Sequence, residues 1–507
     1  MITSSGRAYR ESPKPLRREL ERSSQDPHDP LAEIALQAFG VKYLYPIQRY
    51  VISNTLEGKN QIVVLPTGAG KSLCFQLPAL TLPGPTLVIM PLLALIGDQL
   101  RKLGEAGTPV AALRGGLSPA EKERLFARIA EGGVRILLAT PEACLVASTE
   151  EQLKACRFAH FVVDEAHCVC EWGRTFRPAY RMLGALGARL GVPCITAFTA
   201  TASPEVLADV KAQLFPDREV GLVETSPDRT NISYSVLPTL SKLHALRTLI
   251  RKREGPAVVF CQTRKGAERT ARELARRLPD RSVRFYHAGL SAPERQQGEA
   301  WFLGSRDGVL CATSAYGMGV DKPDIRTVIH AQVPPSIESY LQESGRAGRD
   351  GNPSRAILLV CPDEAEQAER PADEVAQRRF SRMQGYASQT GECRRNTLLS
   401  LIGQPHVACS GCDVCDGTTE SSPAGAEEIV GFVRRYRRRF TAAEAAAILA
   451  AAPGPRSIRS FYDCLRGWRA LSDWDAADVE TAIGALAALG RIRIIARGPW
   501  KERLTPA

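Results

Sequence analysis

"QIVVLPTGAGKSLCFQLPAL", residues 61–80, runs from an apolar β-type segment through a Gly-bearing loop into a helical pattern. That order turns the backbone N–H groups of the loop and of a helix N-terminus toward one point, the arrangement that binds phosphate. Thr67, Gly68 and Gly70 lie in the loop, Lys71 is placed to reach the β and γ phosphates, and Ser72 to hold Mg²⁺. A Gly-rich turn by itself says little; a strand before it and a helix after it make it a nucleotide site within an α/β domain.

The pattern around this stretch extends it to a whole domain. From about residue 31 to 216, short β-type runs ("QIVVL", "TLVIM", "RILLA", "HFVVD", "CITAFTA") alternate with helix-like segments, as in a parallel sheet with crossover helices. The same alternation starts again after "FPDREVGLVETSPDRTNISYSV", through "PAVVFC", "VRFYH", "GVLCATS", "TVIHA" and "AILLVC", up to about 362. Two tandem parallel-sheet α/β domains are the expectation, over 31–216 and 217–362. Residues 1–30 are polar and rich in Pro, Ser and charge, which reads as a disordered basic tail. Residues 363–420 read as helices and a Cys cluster, "TTESSPAG" as a linker, and 425–507 as a small helical domain ending in a strand, turn and strand.

Composition agrees. The chain has 507 residues, 44% of them hydrophobic, enough for about three domains with cores of their own. A formal charge of +11 favours a polyanionic partner. The N-terminus has no apolar core of a signal peptide, and no apolar run is long enough to span a membrane, so a cytoplasmic protein is expected. Most of the 14 Cys sit singly inside apolar runs, as small buried residues do.

"VVDEAHCVCEWGRTFRP", residues 162–178, puts two acids at the end of an apolar run. Adjacent carboxylates at a strand end are costly unless they work, and a phosphate-binding loop upstream assigns the work. Asp164 is expected to hold Mg²⁺ and Glu165 to activate water, with His167 completing a "DEAH" hydrolysis motif. "QESGRAGRDG", residues 342–351, offers Arg346 and Arg349, three apart, as arginines for the γ-phosphate from the second domain. An arginine finger of that kind contributes a factor of roughly 10³ to 10⁵ in rate.

In order along the chain stand "FGVKYLYPIQ" (39–48), "PTGAGKS", "MPLLALIGDQ" (90–99), "DEAHC", "WGRTFRPAY" (172–180), "AFTATA" (197–202), "VVFCQTRKGAE" (258–268), "YHAGL" (286–290), "ATSAYGMGVDKPDIRTVIH" (312–330) and "ESYLQESGRAGRDG". This series resembles the motif set of RecQ-type superfamily 2 DNA helicases over about residues 35–420. The pairing of "DEAHC" with an aromatic loop is the part of the resemblance that points to RecQ among DExH proteins. The resemblance implies two RecA-like domains in which Gln48 reads adenine and Thr199, Thr201 and Asp321 couple nucleotide state to DNA. It also implies that Trp172, Phe176, Arg177 and Tyr180 sense single-stranded DNA; base stacking on aromatics contributes about 1–3 kcal/mol per base without reading sequence. Two motifs depart from the family. Arg174 and Thr175 replace the usual His and Asp, and Tyr45 stands where an arginine normally stacks on adenine.

Cys393, Cys409, Cys412 and Cys415 read C-x15-C-x2-C-x2-C, with "RRNTLLSLIG" as a helix that returns the first thiol to the other three. Four thiolates at such spacing suit tetrahedral Zn²⁺, with no position left open for water. The last 80 or so residues resemble a degenerate winged helix, with "RRYRRRF" (434–440) as a basic stripe and Trp500 at the wing turn, either as a wedge against a duplex end or as an aromatic tucked under the wing. No further C-terminal HRDC-type domain of the kind found in longer relatives is expected in the remaining length.

The expected activity is that of an ATP-dependent 3′ to 5′ DNA helicase using ATP, Mg²⁺ and Zn²⁺. Its expected partners are single-stranded DNA and tailed or branched duplex, and the motor is expected to act as a monomer with no membrane association. The polarity follows from the resemblance. Alternatives are an RNA helicase, and a zinc-dependent nucleic-acid-binding or strand-annealing protein whose ATPase is incidental.

Overall fold

The computed structural model describes residues 29–66, 69–171, 178–200, 203–317, 322–361, 374–452 and 464–507. The chain divides into two compact units, one running to Asp228 with Ile402–Gln404 added, the other comprising Arg229–Leu401 and Pro405–Ala507.

The first unit is built on seven parallel strands: β1 (Gln61–Val64), β2 (Thr86–Ile89), β3 (Val110–Leu113), β4 (Ile136–Ala139), β5 (His160–Val163), β6 (Cys194–Thr199) and β7 (Gly221–Glu224). Their order in the sheet is β3-β4-β2-β5-β6-β1-β7. Every residue of β1, β2, β4, β5 and β6 is buried, as strands covered by helices on both faces must be. Leu87, Leu137, Phe161 and Ile195 form one contiguous core with helix residues such as Leu186 and Val210.

The second unit repeats the plan with β8 (Ile232–Pro238), β9 (Ala257–Phe260), β10 (Val283–Tyr286), β11 (Val309–Ala312), β12 (Thr327–His330) and β13 (Ser354–Val360), in the order β10-β11-β9-β12-β13-β8. Two α/β domains were expected, and two are present. Their boundary lies at 228/229, twelve residues later than the sequence pattern places it (228 − 216). The reason is β7, which pairs parallel with β1 and so closes the first sheet. β8, with the buried–half-buried alternation of an edge strand, opens the second.

The C-terminal part of the second unit holds helices Ala426–Arg435, Ala442–Leu449 and Ala476–Ala488 and a hairpin of β14 (Ile492–Ile494) and β15 (Leu504–Pro506). Ile429, Val433, Ile448, Ile483 and Leu504 share a core that also takes in Leu240 and Cys361 of the neighbouring sheet domain. Polar pairs reinforce that junction: Arg277 meets Asp478 at 2.6 Å, Arg247 meets Asp475 at 2.8 Å, and His244 stacks on Trp474 with ring centroids 3.8 Å apart. Among the described residues, no helix is long and apolar enough to cross a membrane.

Candidate active site and metal centre

Sheet order assembles the nucleotide site. β6 lies between β1 and β5, with Val64 opposite Thr199 and Val163 opposite Ala197. The C-terminal ends of three parallel strands therefore release the phosphate loop, Thr199 and the Asp164–His167 turn side by side. That turn is tied to its neighbours, the Asp164 N–H donating to Ile89 O at 2.9 Å and the Ala166 N–H to Phe198 O at 2.7 Å. Glu165 takes φ 49°, a left-handed conformation that costs a non-glycine residue of order 1 kcal/mol or more and persists only where surroundings enforce it.

Lys71 is the first residue of helix Lys71–Thr81, behind Gly70 at φ 75°. At φ 75° the position favours glycine, and a Cβ there would also displace the Gln48 side-chain amide. The Lys71 ammonium is buried without a hydrogen-bond acceptor, 3.8 Å from Glu165 Oε1. An orphaned buried cation beside a loop of backbone amides fits a phosphate chain. Burial, with the charge of Glu165 added, pushes the Asp164 carboxyl up to about 6, while Lys71 pulls it down. A carboxylate so strained by desolvation fits a divalent cation as its partner, and Ser72 is the second group expected to hold it. Bound Mg²⁺ would neutralise phosphate charge as the γ-phosphoryl group leaves.

His167 Nδ1 lies 3.1 Å from Thr199 Oγ1 and 3.5 Å from Glu165 Oε2. Glu165, the histidine of the same motif and the threonine at the end of β6 thus make one chain of contacts. Gln48, 3% exposed, accepts from the Tyr45 N–H at 3.0 Å and donates to Ala69 O at 3.0 Å, which joins the adenine motif to the phosphate loop. Tyr45 is 49% exposed and meets Tyr43 edge-on, leaving a ring face available for a base. Gln99 was not anticipated as a site residue. It is held by Gln76 at 2.9 Å and reaches Ser72 Oγ at 3.5 Å; its place at the end of "MPLLALIGDQ" was the available signal.

Tyr180 is corrected by the fold. It is fully buried in the first unit's core and so offers no ring face to DNA. Thr67, Gly68, Trp172, Arg174, Thr175, Phe176, Arg177, Thr201 and Asp321 lie outside the described residues.

In the second unit, helix Ile337–Ser344 ends before Arg346, and both arginines sit on the following turn. Arg346 is 3% exposed and Arg349 half-buried. Arg229 braces the turn, donating to the carbonyls of Gly345, Ala347 and Gly348 at 3.1, 3.2 and 2.8 Å.

The four thiols converge as the spacing predicts. Cys393, Cys409, Cys412 and Cys415 have all their Sγ atoms within 4.8 Å of one another, with Cys393 and Cys412 at 4.0 Å. A tetrahedron with Zn–S near 2.3 Å has S–S edges of about 3.8 Å, so the set fits zinc. Behind it, the buried pair Arg394–Asp413 at 3.0 Å and the Asp413 bond from the Val236 N–H at 3.0 Å fasten the module to β8. Trp500, 49% exposed, shares a surface groove of about 490 Å³ with Arg437, Arg438 and Arg439.

Residues 45–210 match the DEAD/DEAH box helicase family, 241–351 the helicase conserved C-terminal domain, and 358–416 the RecQ zinc-binding domain. The chain is 40% identical over 344 residues to the probable ATP-dependent DNA helicase RecS of Bacillus subtilis, covering 67% of this chain and 68% of that one. It is 33% identical over 445 residues to the ATP-dependent DNA helicase RecQ of Pasteurella multocida, covering 83% and 68%. The chain belongs to the RecQ family of DNA helicases.

Among solved structures, this RecQ-family chain is similar in fold to the Mycobacterium smegmatis helicase Lhr bound to ssDNA and AMP-PNP. The TM-score is 0.53 at 22% identity, covering 95% of this chain and 61% of that one. A RecQ-family enzyme uses ATP, Mg²⁺ and Zn²⁺; the four clustered thiols fit the zinc, and Lys71, Ser72 and Asp164 are the residues that would hold the phosphates and Mg²⁺.

Proposed function

We propose that this chain is a DNA-stimulated ATPase that moves 3′ to 5′ on single-stranded DNA and separates tailed or branched duplex ahead of it. It acts as a monomer in the cytoplasm, in repair or recombination. Lys71 grips the β and γ phosphates, Ser72 and Asp164 orient the metal, and Glu165 takes the proton of the attacking water. Arg349, with Arg346, supplies positive charge to the transferring phosphoryl group. Tyr45 stacks on adenine while Gln48 reads its edge. Trp172, Phe176 and Arg177 meet single-stranded DNA, and Thr199, Thr201 and Asp321 relay that contact to Glu165.

The observation that carries this reading is the contact chain Glu165–His167–Thr199, which supports a route between the end of β6 and the hydrolytic base. The test is ATP hydrolysis with and without single-stranded DNA, together with unwinding of a 3′-tailed duplex, for wild type and Glu165→Gln. Stimulated hydrolysis and unwinding in the wild type, both falling by at least about a hundredfold in the variant, are expected. Absence of DNA stimulation in the wild type would overturn the motor.

A further inference from the structure

The second unit carries a basic cleft that none of these roles employs. It opens at the N-terminal edge of β9, β12, β13 and β8, four neighbouring parallel strands, and encloses about 970 Å³. Lys252, Arg253, Arg326 and Arg355 line it against one acid, Glu254. Arg326 is engaged, paired with Asp350 and donating to Asp324 O at 2.9 Å. Lys252, Arg253 and Arg355 have no carboxylate partner among the described residues, whereas Arg272, Arg276 and Arg281 of the same domain are each paired.

Arg253 is the informative member. Its Nε is buried with no hydrogen-bond partner. Burial, and then the neighbouring Arg355 guanidinium, hold its pKa below the usual arginine value. Folding has therefore gathered like charges and desolvated one of them, a cost that an anion in the cleft would offset. Two contacts brace the turn bearing Arg253. Its carbonyl accepts from Arg281 at 2.6 Å, and Gly255, at φ 85°, packs so closely on the Arg326 stem that any Cβ would collide. Among the described residues no aromatic side chain lines the cleft, and its remaining walls are mostly hydroxyl and amide groups, including Ser410 of the zinc loop. Cations and hydroxyls without rings suit phosphates and offer bases nothing to stack on.

We propose that this cleft holds the sugar-phosphate backbone of a DNA strand, with Arg253, Arg355 and Lys252 contacting its phosphates independently of ATP and of base sequence. The proposal rests on the reading of the chain as a DNA motor and adds a second place where DNA is held. The cleft's size, and the placing of its cations on two separate stretches, 252–253 and 355, fit a run of phosphates better than a single ion.

The test measures equilibrium binding of the full chain to a fluorescent 3′-tailed duplex without nucleotide, over a range of KCl, for wild type and the triple variant Lys252→Ala, Arg253→Ala, Arg355→Ala. Each phosphate contact contributes roughly 0.7–0.9 to the slope of log K against log salt, so the variant's slope should be shallower by about 2–3. Basal ATPase and zinc content should not change. Arg355→Glu, at an exposed position, serves if the triple variant does not fold; it should bind the duplex at least about tenfold more weakly at low salt. An unchanged slope in the triple variant, or unchanged affinity in Arg355→Glu, overturns the proposal. So does inorganic tripolyphosphate binding at the cleft while the DNA slope stays the same, since the site would then take small anions. A wild type that lacks DNA-stimulated ATPase sinks the motor reading; a DNA-stimulated wild type with an unchanged variant slope sinks the cleft alone.

Discussion

His160 begins the strand that delivers Asp164, and it is wholly buried with Nε2 at 2.9 Å from Thr196 Oγ1. Burial pushes its pKa down to about 3 from an ordinary 6.5, so the folded protein holds it neutral. The unfolded chain takes up the proton first as pH falls. The stability that His160 contributes is therefore complete above about pH 6.5 and is lost through the window between 6.5 and 3, by up to roughly 1.4 kcal/mol per pH unit. Urea unfolding of wild type and His160→Gln at pH 7 and pH 5 checks this. The wild type should lose more stability than the variant on acidification, and equal losses would refute the assignment. At this scale the chemistry of Lys71, Asp164 and Glu165 was readable because Asp164 and Glu165 directly follow an apolar strand and Lys71 ends a Gly-bearing loop between a strand and a helix. The burial of Tyr180 was not, since an aromatic in a loop reads alike whether it faces solvent or core.

At the scale of elements, strands with continuous apolar runs were legible, and two of the edge strands were not. β3 has only alternate residues buried and β7 has one fully buried residue, Val223, so neither produces the apolar run that marks a central strand. The zinc module was legible because thiolate chemistry restricts spacing. Its attachment through Arg394–Asp413 was not, because a charged pair in a sequence reads as solvent-exposed until the fold buries it. Removing one thiolate should release the metal and loosen the module, given that structural zinc contributes roughly 10–16 kcal/mol in small zinc domains. Cys412→Ser is expected to contain less than about half the zinc of wild type by metal analysis and to unfold at lower temperature. Wild-type zinc content with unchanged melting would show that the four thiols are not its ligands.

At the scale of the whole molecule, the C-terminal helices and hairpin are not an appendage. They share a core with Leu240 and Cys361 and are bound by Arg247 and Arg277 to Asp475 and Asp478, more than 190 residues further along (478 − 277 = 201). Trp500 is thereby presented on a fixed hairpin. If it parts strands, Trp500→Ala should retain DNA-stimulated ATPase within about twofold while unwinding of a 3′-tailed duplex falls about fivefold or more, the equivalent of one lost base stack. Unwinding equal to wild type in that variant would make Trp500 a surface residue only.

The sequence by itself determined the two parallel-sheet domains, the phosphate loop, the paired acids and the four thiols, because each depends on short-range order: a strand before a loop, a helix after it, a fixed number of residues between ligands. Tertiary structure decided the rest. It placed β6 between β1 and β5, so that Thr199 meets His167, it closed the first sheet with β7, and it gathered Arg253 and Arg355 at one strand edge. Those facts depend on which strands lie side by side, and strand neighbours are chosen by the packing of the whole sheet and its helices, which no local spacing encodes.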